Sequence, residues 1–275
     1  MAEQASAAHD YTMGYSEEFR RLLNRRSAET HAKHLLSYLK PGLRVLDFGC
    51  GPGTITVGLA KAVEPGEVHG VDMEESQIGL ARSAAAAGGH ANTTFHVGSV
   101  LELPFEDNSF DVAHCHAVLM HVPDTRAALA EVKRVLRPGG IVGSREMIVQ
   151  SSFLEPSDEG TDNGWKMFSN LLAANGGHPR MGKELKNMFL EAGFSDIRAS
   201  GSFDFFSTTE DIAFLHTFII DWLFLPEVMA AAIKYGLATR EQFDEARQSI
   251  DRWKSHPGAC GAFAFGEVVA QKPQS

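Results

Sequence analysis

The chain has 275 residues, 44% hydrophobic and 22% charged, with 26 Gly, 11 Pro and 3 Cys. A chain of this length can bury about three quarters of its unfolded surface, so its core needs neither disulfides nor metal, and a disulfide-stapled mini-protein is excluded. Lys plus Arg number 25 against 35 Asp plus Glu; the net charge of −10 lacks the basic footprint that phosphate backbones demand and argues against nucleic acid as partner.

At roughly 150 residues per domain the length allows two units or one enlarged α/β domain. The opening MAEQASAAHDYTMGYSEE has no basic stretch followed by an apolar run, so it does not read as a secretory signal, and a cytoplasmic protein is expected. Cys50, Cys115 and Cys260 cannot all pair and form no Cys-x-x-Cys, which fits reduced thiols. The strongest apolar run, 212–225, contains His216 and Asp221 and is shorter than the roughly 20 residues of a membrane span. It reads as a buried helix or a lid.

In chain order, Ser16 and Ser27 stand as N-caps of two helices, with apolar residues at helical spacing (Phe19, Leu22, Leu23, then Leu35, Leu36, Leu39) before a stop at Pro41-Gly42. Strands are predicted at 44–48, 68–72, 94–98, 111–116 and 141–149, and helices at 54–63, 76–87 and 125–136. Asp124 caps the last of these helices and Pro138-Gly139-Gly140 closes it. Alternation of strand and helix argues for a doubly wound parallel sheet. Further on, a helix is predicted at 182–192 and strands at 197–202 and 262–270. The segment 150–180 reads as loop-rich. Between the last two strands lie helices at 209–225, 226–235 and 240–254, the last opened by a capping box from Thr239 and Gln242. The division expected is a helical cap over 1–40, a core of 41–202 plus 261–272, and an inserted helical part, 203–260, serving as substrate cover or oligomer surface.

The sharpest signal is VLDFGCGPGT at 45–54: a hydrophobic strand runs into Asp47, then Gly49, Gly51 and Gly53 before a helix. Glycines there let the chain turn tightly and let a ligand approach the backbone amides at the helix start. The G-x-G-x-G spacing differs from the G-x-G-x-x-G of dinucleotide enzymes and points away from a pyrophosphate; a plain glycine turn is the bland alternative. Asp72 ends the second strand, where a carboxylate can accept both hydroxyls of a ribose.

With LPFEDNSFD (103–111), LMHVPD (119–124), RVLRPGG (134–140) and LEAGF (190–194), the chain resembles the class I S-adenosyl-L-methionine-dependent methyltransferases, in the small-molecule branch that includes the ubiquinone/menaquinone type. The resemblance implies an α/β, Rossmann-like fold with a seven-stranded, mostly parallel sheet, N-terminal helices and a helical insertion before the last strand. It implies that Asp47, Gly49, Cys50, Gly51 and Gly53 line the methionine half of the cofactor and that Asp72 holds the ribose. Met73 would pack on the adenine, Ser99 and Val100 would meet its edge, and His116, Ala117 and His121 would lie beside the sulfonium. Tyr15, and Tyr11 before it, would fold over the cofactor as N-terminal tyrosines do in related enzymes. Where the family has an Asp to accept from the adenine amino group this chain has Ser99, a neutral and weaker acceptor.

The reaction expected is methyl transfer to a small, apolar or aromatic organic acceptor on carbon, oxygen, nitrogen or sulfur, by a monomer or homodimer. His116 and His121 are the candidate bases, since imidazole titrates near neutrality; His114 reads as a hydrogen-bonded core residue. A zinc site built from His114, His116, His121 and Cys115 is disfavoured, because strand alternation turns Cys115 away from its neighbours. Arg145 and Glu146 either face the substrate or pair with each other. The stretch 199–233 contains no Lys or Arg but many acids and aromatics, which suits an apolar, neutral or cationic substrate and disfavours a polyanion. A cofactor-binding protein without catalysis and an NAD-dependent oxidoreductase are the alternatives.

Overall fold

The computed structural model describes residues 17–274. Short helices α1 (Glu17–Asn24), α2 (Ala28–His31) and α3 (Lys33–Leu36) lead into an alternating series: β1 (Arg44–Phe48), α4 (Thr54–Val63), β2 (Glu67–Asp72), α5 (Glu75–Ala87), β3 (Thr93–Val97) and β4 (Phe110–His116). Then come α6 (Thr125–Val135), β5 (Leu136–Met147), β6 (Phe153–Glu155), α7 (Glu159–Ala174), α8 (Met181–Glu191) and β7 (Ser195–Phe206). Helices α9 (Thr209–Leu223), α10 (Pro226–Lys234) and α11 (Arg240–Lys254) precede the last strand, β8 (Cys260–Gln271).

Strands β1 to β5 are parallel, in the order β3-β2-β1-β4-β5, and β8 runs antiparallel beside β5. Phe265 of β8 pairs with Met147 of β5 and with Ser202 of β7, so β5 and β7 flank opposite edges of β8. The short β6 continues the β5 edge at Ala262 and Gly261. The sheet is therefore the predicted seven-stranded arrangement with one extra three-residue strand. On β1, alternation sends Val45 to a core with α2, α3 and α4, while Leu46 and Phe48 join the core of α6 and α8 on the other face. Both faces are covered, as a parallel sheet requires.

Local chemistry sets most boundaries. Asp124 caps α6 by accepting from the Ala127 N–H at 2.9 Å. Thr239 and Gln242 form the predicted capping box of α11. Four expectations change. The second N-terminal helix is split at Ala32, a buried residue whose backbone leaves helical values (φ −118°), giving α2 and α3. Ser27 stands before α2 but caps no backbone N–H; its hydroxyl meets Thr30 instead, and Ser16 lies outside the described residues. Strand β5 begins at Leu136, because Gly139 takes φ +77° and keeps the Pro-Gly-Gly segment bonded to the chain end through Lys272.

The largest difference is α7, sixteen residues of helix where a loop-rich segment is expected. Asp158 and Thr161 cap each other reciprocally, and Met167, Phe168, Leu171 and Leu172 form a buried stripe. Two glycines in its first turns, each costing about 1 kcal/mol relative to Ala, mask the pattern. Gly160 is there because α11 packs so close that a Cβ would strike Ser249, whereas a Cβ on Gly164 would make only ordinary contacts with Leu223 and Ile250. Run 212–225 is mostly α9, whose Ile212, Leu215, Phe218, Trp222 and Leu223 are buried. Among the described residues no single helix is long and apolar enough to cross a membrane; α9 and α10 would pass together but are bent by 56°.

Helix α8 meets the sheet backbone to backbone: a Cβ on Gly266 would collide with the Gly182 carbonyl, and one on Gly182 with the Glu146 carbonyl. Neither backbone can yield without losing ladder bonds. Gly266→Ala is expected to destabilise the fold by about 1–3 kcal/mol, the usual range for overpacking. Urea unfolding checks this, and an unshifted midpoint would show the contact to be looser.

Candidate functional site

The carboxyl ends of β1, β2 and β4 open onto a cavity of about 340 Å³. Its floor is the turn after β1, where Gly49, Gly51 and Gly53 adopt φ of +67°, +52° and +77°, values that L side chains rarely tolerate. At Gly49 a Cβ would also enter the Val118 side chain. Asp47, Gly49, Cys50, Gly51, Asp72, Met73, Ser99, Val100, His116, Ala117 and His121 all line the cavity. Gly53 does not: it caps α4, and its backbone lies against Ala81 and Phe95, so its role is packing. Tyr15 and Tyr11 lie outside the described residues.

Each carboxylate here is held. Asp47 accepts from the Thr56 hydroxyl at 2.6 Å and meets His114 Nδ1 at 2.8 Å, deep in the fold. Asp72 accepts from the Gly51 N–H at 2.9 Å and the Glu74 N–H at 3.0 Å. Burial raises the Asp72 pKa, and those two amides oppose the rise. Cys50 is a closed-in thiol whose pKa burial raises, with Asp47 and Asp72 adding to it. The Ser99 hydroxyl accepts from the Leu101 N–H at 3.1 Å, so it also shapes its own turn.

His116 is 5% exposed, and neither of its ring nitrogens has a hydrogen-bond partner. Its ring lies edge-on to His31 at 5.0 Å and tilted against Phe265 at 5.3 Å. Burial, then Arg26 and Arg145, hold its pKa well below the imidazole range. His121 is held at about 3 by burial and then Arg26. The next residue after His116, Ala117, sits at φ +54°, a strained value of the kind that clusters at functional sites.

Glu146 and Arg145 do not pair with each other. Glu146 is fully buried and accepts from the backbone N–H groups of Val118, Leu119 and Met120 at 2.9–3.1 Å, fixing the turn that carries His121. Burial pushes its pKa up to about 7 against those bonds. Arg145 points to the other face, where it meets Asp204 at 2.7 Å and Glu267 at 3.4 Å and stacks over Phe265 at 3.6 Å. Cys115, on the Glu146 face, donates to Ser144. Among the described residues no group of three His, Cys, Asp or Glu is placed to hold a metal ion.

A second, smaller chamber of about 90 Å³ adjoins the first, and Arg26, Ala117 and His121 line both. Its walls are aromatic and aliphatic: Met120, Met147, Leu154, Trp165, Phe168, Phe218, Trp222, Phe263 and Phe265 among them. No Asp, Glu or Lys lines it. Two acids of the 199–233 stretch are spent elsewhere, Asp204 on Arg145 and Asp211 on Arg25 at 2.7 Å.

Several wall residues escape sequence reading. Arg26 and Leu23 come from the N-terminal helical part, and Leu172, Asn175 and Gly177 from α7 and its exit. Gln77, in the first turn of α5, is 3% exposed, lines the cavity and has an unpartnered Oε1. Only the stripe of α7 carried a signal in advance.

Against known proteins, a family model described as a methyltransferase domain matches residues 39–193. An uncharacterized methyltransferase of Schizosaccharomyces pombe is 33% identical over 260 residues, covering 90% of this chain and 91% of that protein. The demethylmenaquinone methyltransferase of Staphylococcus aureus is 39% identical over 140 residues, 49% of this chain and 57% of that one. Among solved structures, the YcgJ protein of Bacillus subtilis superposes with a TM-score of 0.60 at 19% identity, covering 88% of this chain and 100% of that chain. That likeness is one of fold.

The buried imidazoles make stability depend on pH in a definite direction. His34, packed beside His114, is held at about 4, chiefly by burial and then by His114. His34, His116 and His121 all have folded pKa values below the unfolded value near 6.5. The unfolded chain then binds more protons, so stability is full above about 6.5 and is lost as pH falls toward 4. Glu146, raised, contributes the opposite slope between its unfolded value and about 7. His34→Gln is expected to flatten the loss between pH 6.5 and 4, measured by urea unfolding across that range; an unchanged slope would mean that His34 is not held neutral.

Proposed function

Because the chain belongs to the methyltransferase family and is an S-adenosyl-L-methionine-dependent enzyme of the small-molecule branch, we propose that it methylates a small, neutral, apolar or aromatic acceptor seated in the chamber beside Ala117 and His121. The observation that carries this reading is the pairing of the two cavities, one floored by the glycine turn and the other apolar, with a shared wall.

The residues suit the cofactor. Asp72 is preorganised by two amides to accept a ribose diol, and exposed Met73 offers an apolar surface for a purine. Gly49 and Gly51 leave room for the amino-acid end, Asp47 stands behind them, and Arg26 supplies a cation near that end. Gln77 Oε1 is a buried acceptor without a partner, which a ligand donor would satisfy. When bound, the cofactor supplies an electrophilic methyl group.

The chain's part is then mostly positioning. Holding a nucleophile about 3–3.5 Å from the methyl carbon on the line of displacement can lower the barrier by about 7–11 kcal/mol. Glu146 and Phe265 keep the His121 turn and the His116 ring in place. Residues 203–260, with α7, act as the substrate cover in this reading, anchored to the N-terminal part by Arg25 and Asp211. For an acceptor that must lose a proton, the candidate bases are His121, on the wall of both cavities, and His116, in the larger cavity next to Ala117; such a proton transfer typically contributes about 10²–10⁴-fold.

Calorimetry is expected to show S-adenosylhomocysteine binding to the protein and no NADH binding; the reverse would overturn the reading. Asp72→Ala should weaken that binding about tenfold or more, since hydrogen bonds to a charged group contribute about 1.5–3 kcal/mol. An unchanged dissociation constant would remove the ribose assignment. With labelled methyl donor and a panel of neutral aromatic acceptors, His116→Ala should lower turnover at saturating cofactor by about 10²-fold. Equal turnover would leave His116 a structural residue.

A further inference from the structure

The chain has three tryptophans, and their indole N–H groups are treated differently. Trp253, in α11, donates to the carbonyls of Glu155 at 3.0 Å and Cys260 at 3.1 Å. Trp165 and Trp222 have buried Nε1 atoms with no partner, and both side chains line the apolar chamber. Trp222 is 5% exposed and packs edge-on to Phe168 at 4.9 Å, while Trp165 stands edge-on to Phe263 at 5.9 Å. A buried indole N–H normally finds an acceptor. Of the other polar side chains on the wall, the Thr161 hydroxyl is engaged with Asp158, and His121 stands at the edge shared with the larger cavity. Two unsatisfied donors from different helices in one otherwise apolar space are the mark of a site whose acceptor atom arrives with the ligand.

We infer that the chamber selects a neutral, ring-sized acceptor bearing an oxygen, carbonyl or hydroxyl, that accepts hydrogen bonds from the indole N–H groups of Trp165 and Trp222. The inference deepens the acceptor-site reading of the chamber and rests on it. Size follows from the volume: about 90 Å³ is below the 150 Å³ of an engineered cavity that takes benzene, so a single small ring is the upper limit, and the space extends toward the adjoining cavity across the wall of Ala117 and His121. Neutrality follows from the indole donors, which carry dipoles and no charge; the one cation on the wall, Arg26, stands at the edge shared with the larger cavity and is not free. Discrimination comes from leaving those donors unpaired: a site built to bond a substrate oxygen rejects the analogue without it more strongly than an apolar slot rejects a missing methylene.

The test uses benzaldehyde and styrene, which share shape and differ by a carbonyl against a vinyl group, with benzoate as the charged third. Binding to the full chain in the presence of S-adenosylhomocysteine is followed by ligand-observed NMR. Benzaldehyde is expected to bind, and Trp222→Phe and Trp165→Phe, which keep an aromatic ring, should each weaken it about tenfold while leaving styrene within twofold. Trp253→Phe, whose N–H serves the fold, should leave the ratio of the two probes unchanged even if it lowers stability. Equal losses for both probes would reduce the indoles to packing, and no loss for either would mean that a resident water satisfies them; both results overturn the inference, as would tighter binding of benzoate than of benzaldehyde. Homocysteine-cofactor binding, measured on the same samples, separates the two readings. Its absence would sink the methyl-transfer reading, and the carbonyl preference and its loss in the Phe variants would still decide the chamber's chemistry.

Discussion

A buried carboxylate ties together the elements that open the site. Asp47 ends β1, takes the hydroxyl of Thr56 from α4, and meets His114 on β4, all with little or no solvent. Breaking a buried pair of this kind leaves an uncompensated polar group and typically costs about 3–5 kcal/mol. The contact therefore sets how the first crossover helix and the fourth strand stand relative to the glycine turn. Their separation is the width of the larger cavity. Close approach of the turn after β4 also leaves no room for a side chain at Gly49, where a Cβ would meet Val118.

Around that junction the charges are sorted by face. On one face Arg145, Asp204 and Glu267 form a network with Ser200 and Ser202; burial would raise the Asp204 pKa, but His31 and then Arg145 hold it at about 2. His31 touches Asp204 and His116, so the N-terminal helices dock on the network and the site at once. On the other face Glu146 gathers three amides of the His121 turn. Between them the chamber keeps aromatic walls and one imidazole, His121, and Arg26 at the shared wall is the one charged side chain among the described lining residues.

The helix that closes the site is the one hardest to read in advance. Helix α7 lends Trp165 and Phe168 to the chamber and Leu172 to the larger cavity. Its capping pair and apolar stripe stand in the sequence, but Gly160 and Gly164 depress local helix propensity, and the close approach of α11 explains the first of them. Propensity is a weak prior that tertiary packing overrides, and here the override coincides with the functional wall.

Residues close in sequence determined the core of this protein. The strand-turn-helix of 45–54, the place of Asp72 at the end of β2 and the alternation of strands and helices from 44 to 147 could be read directly, because strand alternation, helix caps and glycine turns are decided by neighbours within a few residues. Tertiary structure alone decided the chamber. Its wall joins residues from Leu22 to Phe265, and whether an indole N–H or an imidazole finds a partner depends on carbonyls supplied from distant strands and helices. Trp253 meets two of them and Trp222 meets none, a difference that no local pattern encodes.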